Sequence, residues 1–401
     1  MVKKISRRQF LLSLLGAGAA GLTWSKTKGV PFSVESAGGN TVYLPFISKA
    51  SPTPPPGTGH GVVHVHHSSV STWNGNSGDY WNYVNQAKTS QMVEQGLIQL
   101  TGKSTAAAAW RARLPNYQAG QGIAIKVNFN NTISSGCSAA PTAINALPQV
   151  VNAVIAGLKS MGVAESDIWI YDGVSRTIPN YFYNIVHTPY PGVKFYDKCH
   201  TPVTYNSTDA SATVSFSPPA GVPQPAAEKI ADVLVNARYL INMPILKNHS
   251  CAGITLGFKN HFGTINNPGG LHSHVFYEDS CGGGAYSNYS PLVDIYKNAN
   301  IRNKTVLTIG DGIFGALGAE DARPSFWTTF NDQVPQSLFF AADPVAIDSV
   351  MADFLRAEWG YPTGSDRYLQ FAENAGLGVY EQGDPWGGGY SQIDYYKVNL
   401  S

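Results

Sequence analysis

From about residue 61 to residue 375 the chain alternates short apolar runs with longer segments of helical period, and this alternation most constrains its fold. "GVVHVHHS" reads as a strand, and "DYWNYVNQAKTSQMVEQGLIQLTG" as a helix stopped by glycine. "GIAIKVNF" is a buried strand, and "PTAINALPQVVNAVIAGLKSMG" a helix ending at Gly162 with a kink expected at Pro148. "DIWIYD" and "RYLINMPI" are strands, and a helix is expected over roughly 251–262, closed by Gly263. The last third supplies a helix over 290–300, the strands "KTVLTIGD" and "SLFFAAD", the helix "PVAIDSVMADFLRAEWG" and a short helix near 367–375. Together these predict an α/β fold, with a mixed, mostly parallel sheet flanked by helices. No period signals a solenoid.

What precedes residue 61 reads differently. "KKISRRQFLLSLLGAGAAGLTW" carries Ser6-Arg7-Arg8-x-Phe10-Leu11 ahead of an apolar run of moderate hydrophobicity, the pattern of a twin-arginine export signal. The run is short for a spanning helix, which needs about 20 residues. No clear cleavage site follows, so the segment can stay as a membrane tether. Residues 26–60 form a Pro/Gly/Ser-rich linker, and "SKASPTPPPGTGHG" is its stiffest part. A single α/β domain is expected over 61–401, in a protein exported across the cytoplasmic membrane. Its partner there would be the twin-arginine export machinery.

Charge narrows the ligand classes. Only 13% of residues are charged, with 27 basic against 26 acidic, and no basic cluster supplies a nucleic-acid footprint. The four cysteines, Cys137, Cys199, Cys251 and Cys281, include no CxxC pair, so their spacing fits neither a zinc ribbon nor an iron–sulfur cluster. In an oxidising compartment they can form up to two disulfides, in any of three pairings.

In an open α/β sheet, ligands bind beyond the carboxyl ends of the strands. "GIAIK" runs into Lys126 and Asn128, "DIWIY" into Asp172, and "YLINMPI" into Lys247 and His249. "TVLTIG" runs into Asp311 and "SLFFAA" into Asp343. Such residues also serve as ordinary caps and turn formers, and Asp343-Pro344 is a complete N-cap in itself. Asp348, in the helix that follows, can be simply solvated. In a chain so poor in charge, the set carries more weight than any member.

"LKNHSCAGITLGFKNHFG" writes Lys-Asn-His twice, at Lys247–His249 and Lys259–His261. Twelve helical residues span about 18 Å. The two copies are therefore read as donors at opposite ends of one helix. The first copy, at the helix N-terminus, is the expected anion contact. Lys259 would complement the helix C-terminus, and a single ligand would reach both copies only if it were extended or the chain folded back.

"GDGIFG" at 310–315 matches a dinucleotide fingerprint, but Pro324 follows too soon for the required helix, and no strand-end acid stands about 20 residues on. There is no G-x-S-x-G elbow and no H-E-x-x-H helix. "HVHH" sets His64 and His66 on one strand face, and "LHSH" offers His272 and His274 in a loop. A divalent metal held by His64, His66 and His272 is one expectation, and histidines satisfied by hydrogen bonds are the commoner case.

"GIAIKVNFN", "LINMPILKNHSCAGITLGFKNHFGTI", "TIGDGIFGALGAED" and "AADPVAIDSVMADF", in this order, resemble the family known as domain of unknown function 362. The resemblance covers roughly 120–380, and the block with Lys247, His249, Lys259, Asn260 and Gly263 is its most specific part. It implies no settled reaction. A ferredoxin-like segment links many members to iron–sulfur chemistry, and this chain has no such cysteine-rich segment. The resemblance also implies twin-arginine export, with residues 60–120 an extension typical of exported members.

The leading expectation is an enzyme acting on a small anionic substrate in a cleft at the strand carboxyl ends. Lys126, Lys247 and Lys259 would neutralise the anion, and Asn128 and Asn260 would orient it. His249, Asp311 or Asp172 would move a proton. The alternatives are a binding protein that holds an anionic ligand or cofactor without chemistry, and a metal-dependent redox accessory protein.

Overall fold

In the computed structural model, the residues described are 33–35, 41–43 and 59–401, apart from 77, 133–135, 174, 278–280, 282, 319–321 and 362. The twin-arginine segment and most of the Pro-rich linker lie outside them. Ser33–Glu35 and Thr41–Tyr43 pair as an antiparallel ribbon in the unit Met1–Pro52, and the second unit is Thr53–Ser401.

Ten strands form the main sheet: β1 (Gly61–His67), β2 (Ile123–Lys126), β3 (Ile168–Tyr171), β4 (Lys194–Tyr196), β5 (Tyr239–Asn242), β6 (Ile245–His249), β7 (Gly253–Ile254), β8 (Thr305–Ala316), β9 (Ser337–Ala341) and β10 (Asp394–Leu400). The order is β10-β1-β9-β8-β5-β2-β3-β4, with β6 beside the far half of β8 and β7 on β6. The run from β8 through β5, β2 and β3 to β4 is parallel, as are β10 with β1 and β6 with β8. β9 pairs antiparallel with both neighbours, and β7 antiparallel with β6. The sheet is therefore mixed and mostly parallel, as the alternation predicts.

Side-chain alternation feeds two cores. Ile123, Ile125, Ile168, Ile170 and Ile241 pack on one face against helices α1 (Gln86–Thr101), α2 (Ala106–Arg113), α3 (Pro148–Ser160) and α4 (Asn180–His187). Ala124, Tyr171 and Leu240 face the other side. There they meet α5 (Asp232–Asn236), α6 (Leu256–Asn260), α7 (Pro291–Lys297), α8 (Pro344–Glu358) and α9 (Arg367–Asn374). Lys126, two residues past Ala124, points to the same face as α6.

Helix starts follow their caps. Asp343 accepts from the amides of Val345 and Ala346 ahead of Pro344, and Asn85 accepts from Lys88. Pro148 opens α3 rather than kinking it: Leu147 is extended, and proline at the first helical position loses no hydrogen bond. None of the described helices is long and apolar enough to cross a membrane.

Three sequence expectations fail here. The strand "RYLINMPI" breaks after Asn242, because Pro244 has no amide for the ladder; its carbonyl instead accepts from the Asp311 amide, and the chain resumes as β6. β8 continues past Asp311 to Ala316, because β6 pairs with its second half, so Asp311 lies within a strand and not at its end. "GDGIFG" is accordingly buried strand and not a phosphate loop. Finally, residues 251–262 do not form one helix. Asn248 and His249 pair with Ile254 and Gly253 in a tight hairpin, and only Leu256–Asn260 is helical.

Candidate functional site

The hairpin places both Lys-Asn-His copies on one cavity. The cavity holds about 500 Å³, and its lining includes Lys126, Asn128, Asp172, Arg176, Lys247, His249, Lys259, Asn260, His272 and Phe276. The chain does fold back here, because Gly253 takes the left-handed conformation a tight turn needs. Cys251, at the hairpin tip, is bonded to Cys281, and Cys137 to Cys199. All four cysteines are thus engaged in disulfides rather than available as cluster ligands.

A five-residue helix has no independent stability, so α6, which carries Lys259, must be held from outside. The Asp348 carboxylate on α8 accepts from the amides of Gly257 (2.7 Å) and Phe258 (3.0 Å) and from the Tyr368 hydroxyl (3.2 Å). Asp348 is fully buried and not solvated. At the other end, Asn260 donates to Asn242 (2.8 Å) and accepts from Asn128 (3.1 Å) and the Lys126 ammonium (3.3 Å). Asn128 and Asn260 thereby spend their polar groups on each other and on the strand ends. They fix α6 across the carboxyl edge of β2 and β5.

The cations divide by what holds them. Lys126 is buried, pairs with Asp172 at 2.7 Å and donates to the Val127 carbonyl at 2.6 Å. Asp172 also accepts from the amides of Gly173 and Phe129, so both its oxygens are committed and it serves as a counter-ion, not a free base. Lys247 donates to the carbonyls of Gly318 (2.9 Å) and Asn248 (3.2 Å). Arg176 donates to Asn130 (2.8 Å) and Ser175 (2.8 Å). Lys259 differs. It is half-buried, its ammonium lies 5.8 Å from the centre of the Phe276 ring, and it has no hydrogen-bond acceptor among the described residues. Burial first, then Lys247 and Arg176, hold its amine well below the ordinary lysine range.

His249 cannot act as the proton acceptor the sequence suggested. Its Nδ1 accepts from the amides of Cys251 (3.1 Å) and Ala252 (3.2 Å), which leaves the ring hydrogen on Nε2. Burial, with Lys259 and Lys247 nearby, strongly disfavours the imidazolium. A neutral ring in this tautomer offers the cavity a donor. Burial, Lys259 and Arg176 also lower the pKa of His272, which stacks on Phe276 at 4.7 Å.

The remaining candidates lie elsewhere. Asp311 does not line the cavity; it is buried in β8, accepts from the amides of Ile313 and Leu147, and burial raises its pKa to about 7. His64 and His66 do share a strand face, but the structure does not bring them together with His272. His64 Nε2 donates to Ser337, whose hydroxyl is itself turned to the Pro335 carbonyl, and Nδ1 accepts from the Tyr395 hydroxyl. Neither nitrogen keeps a lone pair for a metal, and Lys397 beside both rings further opposes a cation. Among the described residues, no group of three or more His, Cys, Asp and Glu side chains is placed to hold a metal.

Sequence reasoning missed Arg176, four residues past Asp172 in the same strand-end loop. The strand-end argument would have found it if extended from the first residue to the whole loop. It also missed Phe262 and Phe276, whose lining role depends on how the loop after α6 returns. No curated protein matches the chain. The family described as Domain of unknown function (DUF362) matches residues 123–353, which include every strand-borne and α6-borne residue of the cavity, and the chain belongs to that family.

Proposed function

We propose that the cavity binds a small anion, a carboxylate or phosphate, and that the protein acts on it as an enzyme. One observation carries this reading: among the described lining residues, Lys126, Arg176, Lys247 and Lys259 face a single carboxylate, Asp172, which is already paired. Positive side chains gathered in a partly desolvated pocket repel one another, and an anion relieves that repulsion. The neutral His249 ring adds a hydrogen-bond donor suited to a carbonyl or phosphoryl oxygen. Among the described residues the lining offers donors but no free carboxylate, and this favours the second reading, a binding protein without chemistry, unless one of the amines is the reactive group.

Thermal unfolding at low salt, with phosphate, pyruvate and citrate titrated separately, tests the site. At least one anion should raise the midpoint in a saturable way, by mass action on the folded state, and Arg176→Ala should weaken that gain. No shift with any of the three at millimolar concentration would remove the proposal.

We further propose that the chain is exported by the twin-arginine route and belongs to the members without a ferredoxin-like segment. The two disulfides support an oxidising destination. Replacing Arg7 and Arg8 by lysine should leave the protein in the cytoplasm, and undiminished export would defeat the assignment.

A further inference from the structure

The geometry points to Lys259 as a nucleophile that forms an imine with a small carbonyl compound bearing a carboxylate or phosphate group, such as an α-keto acid. The inference rests on the anion site proposed above and names its substrate class and first chemical step.

The choice among the lysines follows from their partners. The Lys126 and Lys247 ammonium groups each donate to protein oxygens, which favours the charged, non-nucleophilic form. Lys259 Nζ has no such acceptor among the described residues and faces the cavity beside the Phe276 ring. Among the described residues, the groups that bear on its charge are Lys247, Arg176, His249 and His272, with the Lys126–Asp172 pair behind them. Lys247 and Arg176 repel a proton, and the neutral histidines supply no counter-charge. Desolvation and a neighbouring cation both shift an amine toward the free base, the form that attacks a carbonyl carbon. The rest of the lining suits the rest of such a substrate: Arg176 can take the anionic group, and His249 Nε2–H can donate to the carbonyl oxygen.

The step balances without a co-reactant. The Nζ lone pair forms the N–C bond as the carbonyl π electrons move to oxygen, and one N–H proton passes to that oxygen to give a carbinolamine. The C–O bond then breaks, the second N–H proton leaves with the hydroxyl as water, and C=N forms. One amine and one carbonyl yield one imine and one water, with no change in oxidation state.

The experiment treats the full chain at neutral pH with pyruvate, glyoxylate or glycolaldehyde phosphate plus cyanoborohydride, and maps the reduced adducts by mass spectrometry. Each unit by which an amine's pKa falls raises its free-base fraction about tenfold. Lys259 should therefore be labelled at least about tenfold faster than the exposed lysines, in a reaction that saturates with carbonyl concentration and is inhibited by phosphate. Lys259→Arg, which keeps a cation but cannot form the imine, should lose that adduct and still be stabilised by phosphate. If a carbonyl acid stabilises the fold yet labels Lys259 no faster than other lysines, the imine inference is overturned and the anion site stands. If it neither stabilises nor labels, both fall. Should Lys259→Arg fail to fold, the map on the wild-type chain decides alone.

Discussion

The Lys126 ammonium and the Asp172 carboxylate lie 2.7 Å apart, on the ends of neighbouring parallel strands, with both side chains almost wholly buried. Nothing larger than glycine fits over them. A Cβ on Gly263 would stand 2.7 Å from the Lys126 nitrogen and closer still to Asp172, and Gly173 meets Gly263 backbone to backbone. The pair is thus sealed between β2, β3 and the turn after α6, and it forms the floor of the cavity. Desolvation lowers the Lys126 pKa while Asp172 raises it.

Breaking such a pair costs more than the pair itself contributes, because the surviving charge is left buried without a partner. Lys126→Met should lower unfolding free energy by about 3–5 kcal/mol. The double variant with Asp172→Leu should recover a large part of that loss. Urea denaturation of the three proteins measures it. A single variant as stable as wild type would mean that water or the cavity already solvates Asp172.

The pH dependence of stability has a definite sign at Asp311. In the folded protein burial raises its pKa to about 7, whereas an unfolded aspartate titrates near about 4. Between these values the native state holds a proton that the unfolded state has released. The stability that this difference contributes is fully present below the unfolded value, declines as pH rises toward 7, and is level above it. Asp311→Asn removes the ionisation, so its stability relative to wild type should improve between pH 4.5 and 8 by on the order of a few kcal/mol. Asp348, raised to about 7 by burial as well, contributes the same slope and stays in both proteins. Parallel pH profiles for wild type and variant would show that Asp311 ionises normally inside the fold.

The sheet was legible because its strands are short runs of Ile, Val and Leu flanked by glycine or polar residues, a pattern set locally. The cavity was legible in part for the same reason: Lys126 and Asp172 directly follow such runs, and the carboxyl edge of a parallel sheet is one place. The path of 246–263 was not. Its residues satisfy a helical period, and what makes it a hairpin is tertiary: the vacant far half of β8, the Cys251–Cys281 bond, and the Asp348 carboxylate that captures the start of α6. Asp311 was misplaced by the same cause, since β8 runs on beyond it by pairing with β6 and, as far as Gly312, with β9. That Lys259 lacks an acceptor among the described residues could not be read from sequence either, because it depends on which carbonyls the other lysines reach.

That last point reverses an expectation about the two Lys-Asn-His copies. As helix ends, Lys247 would be the dispensable ligand contact and Lys259 the stabilising cation. In the fold, Lys247 is buried and donates to two carbonyls, while Lys259 has no acceptor among the described residues and lies near other cations. Lys247→Met leaves the Gly318 and Asn248 carbonyls without that donor, a loss of about 1–3 kcal/mol. Lys259→Met keeps the aliphatic stem and removes the amine from a cavity where no described residue accepts its hydrogen bonds. The ligand-free variant should be as stable as wild type or more so. In saturating anion the order should change, since wild type gains by mass action and Lys259→Met gains less. Thermal unfolding of the three proteins, with and without phosphate, reads both effects. A Lys259→Met protein that melts well below wild type without ligand would show that the amine has a structural partner, and the division of labour drawn between the two lysines would be wrong.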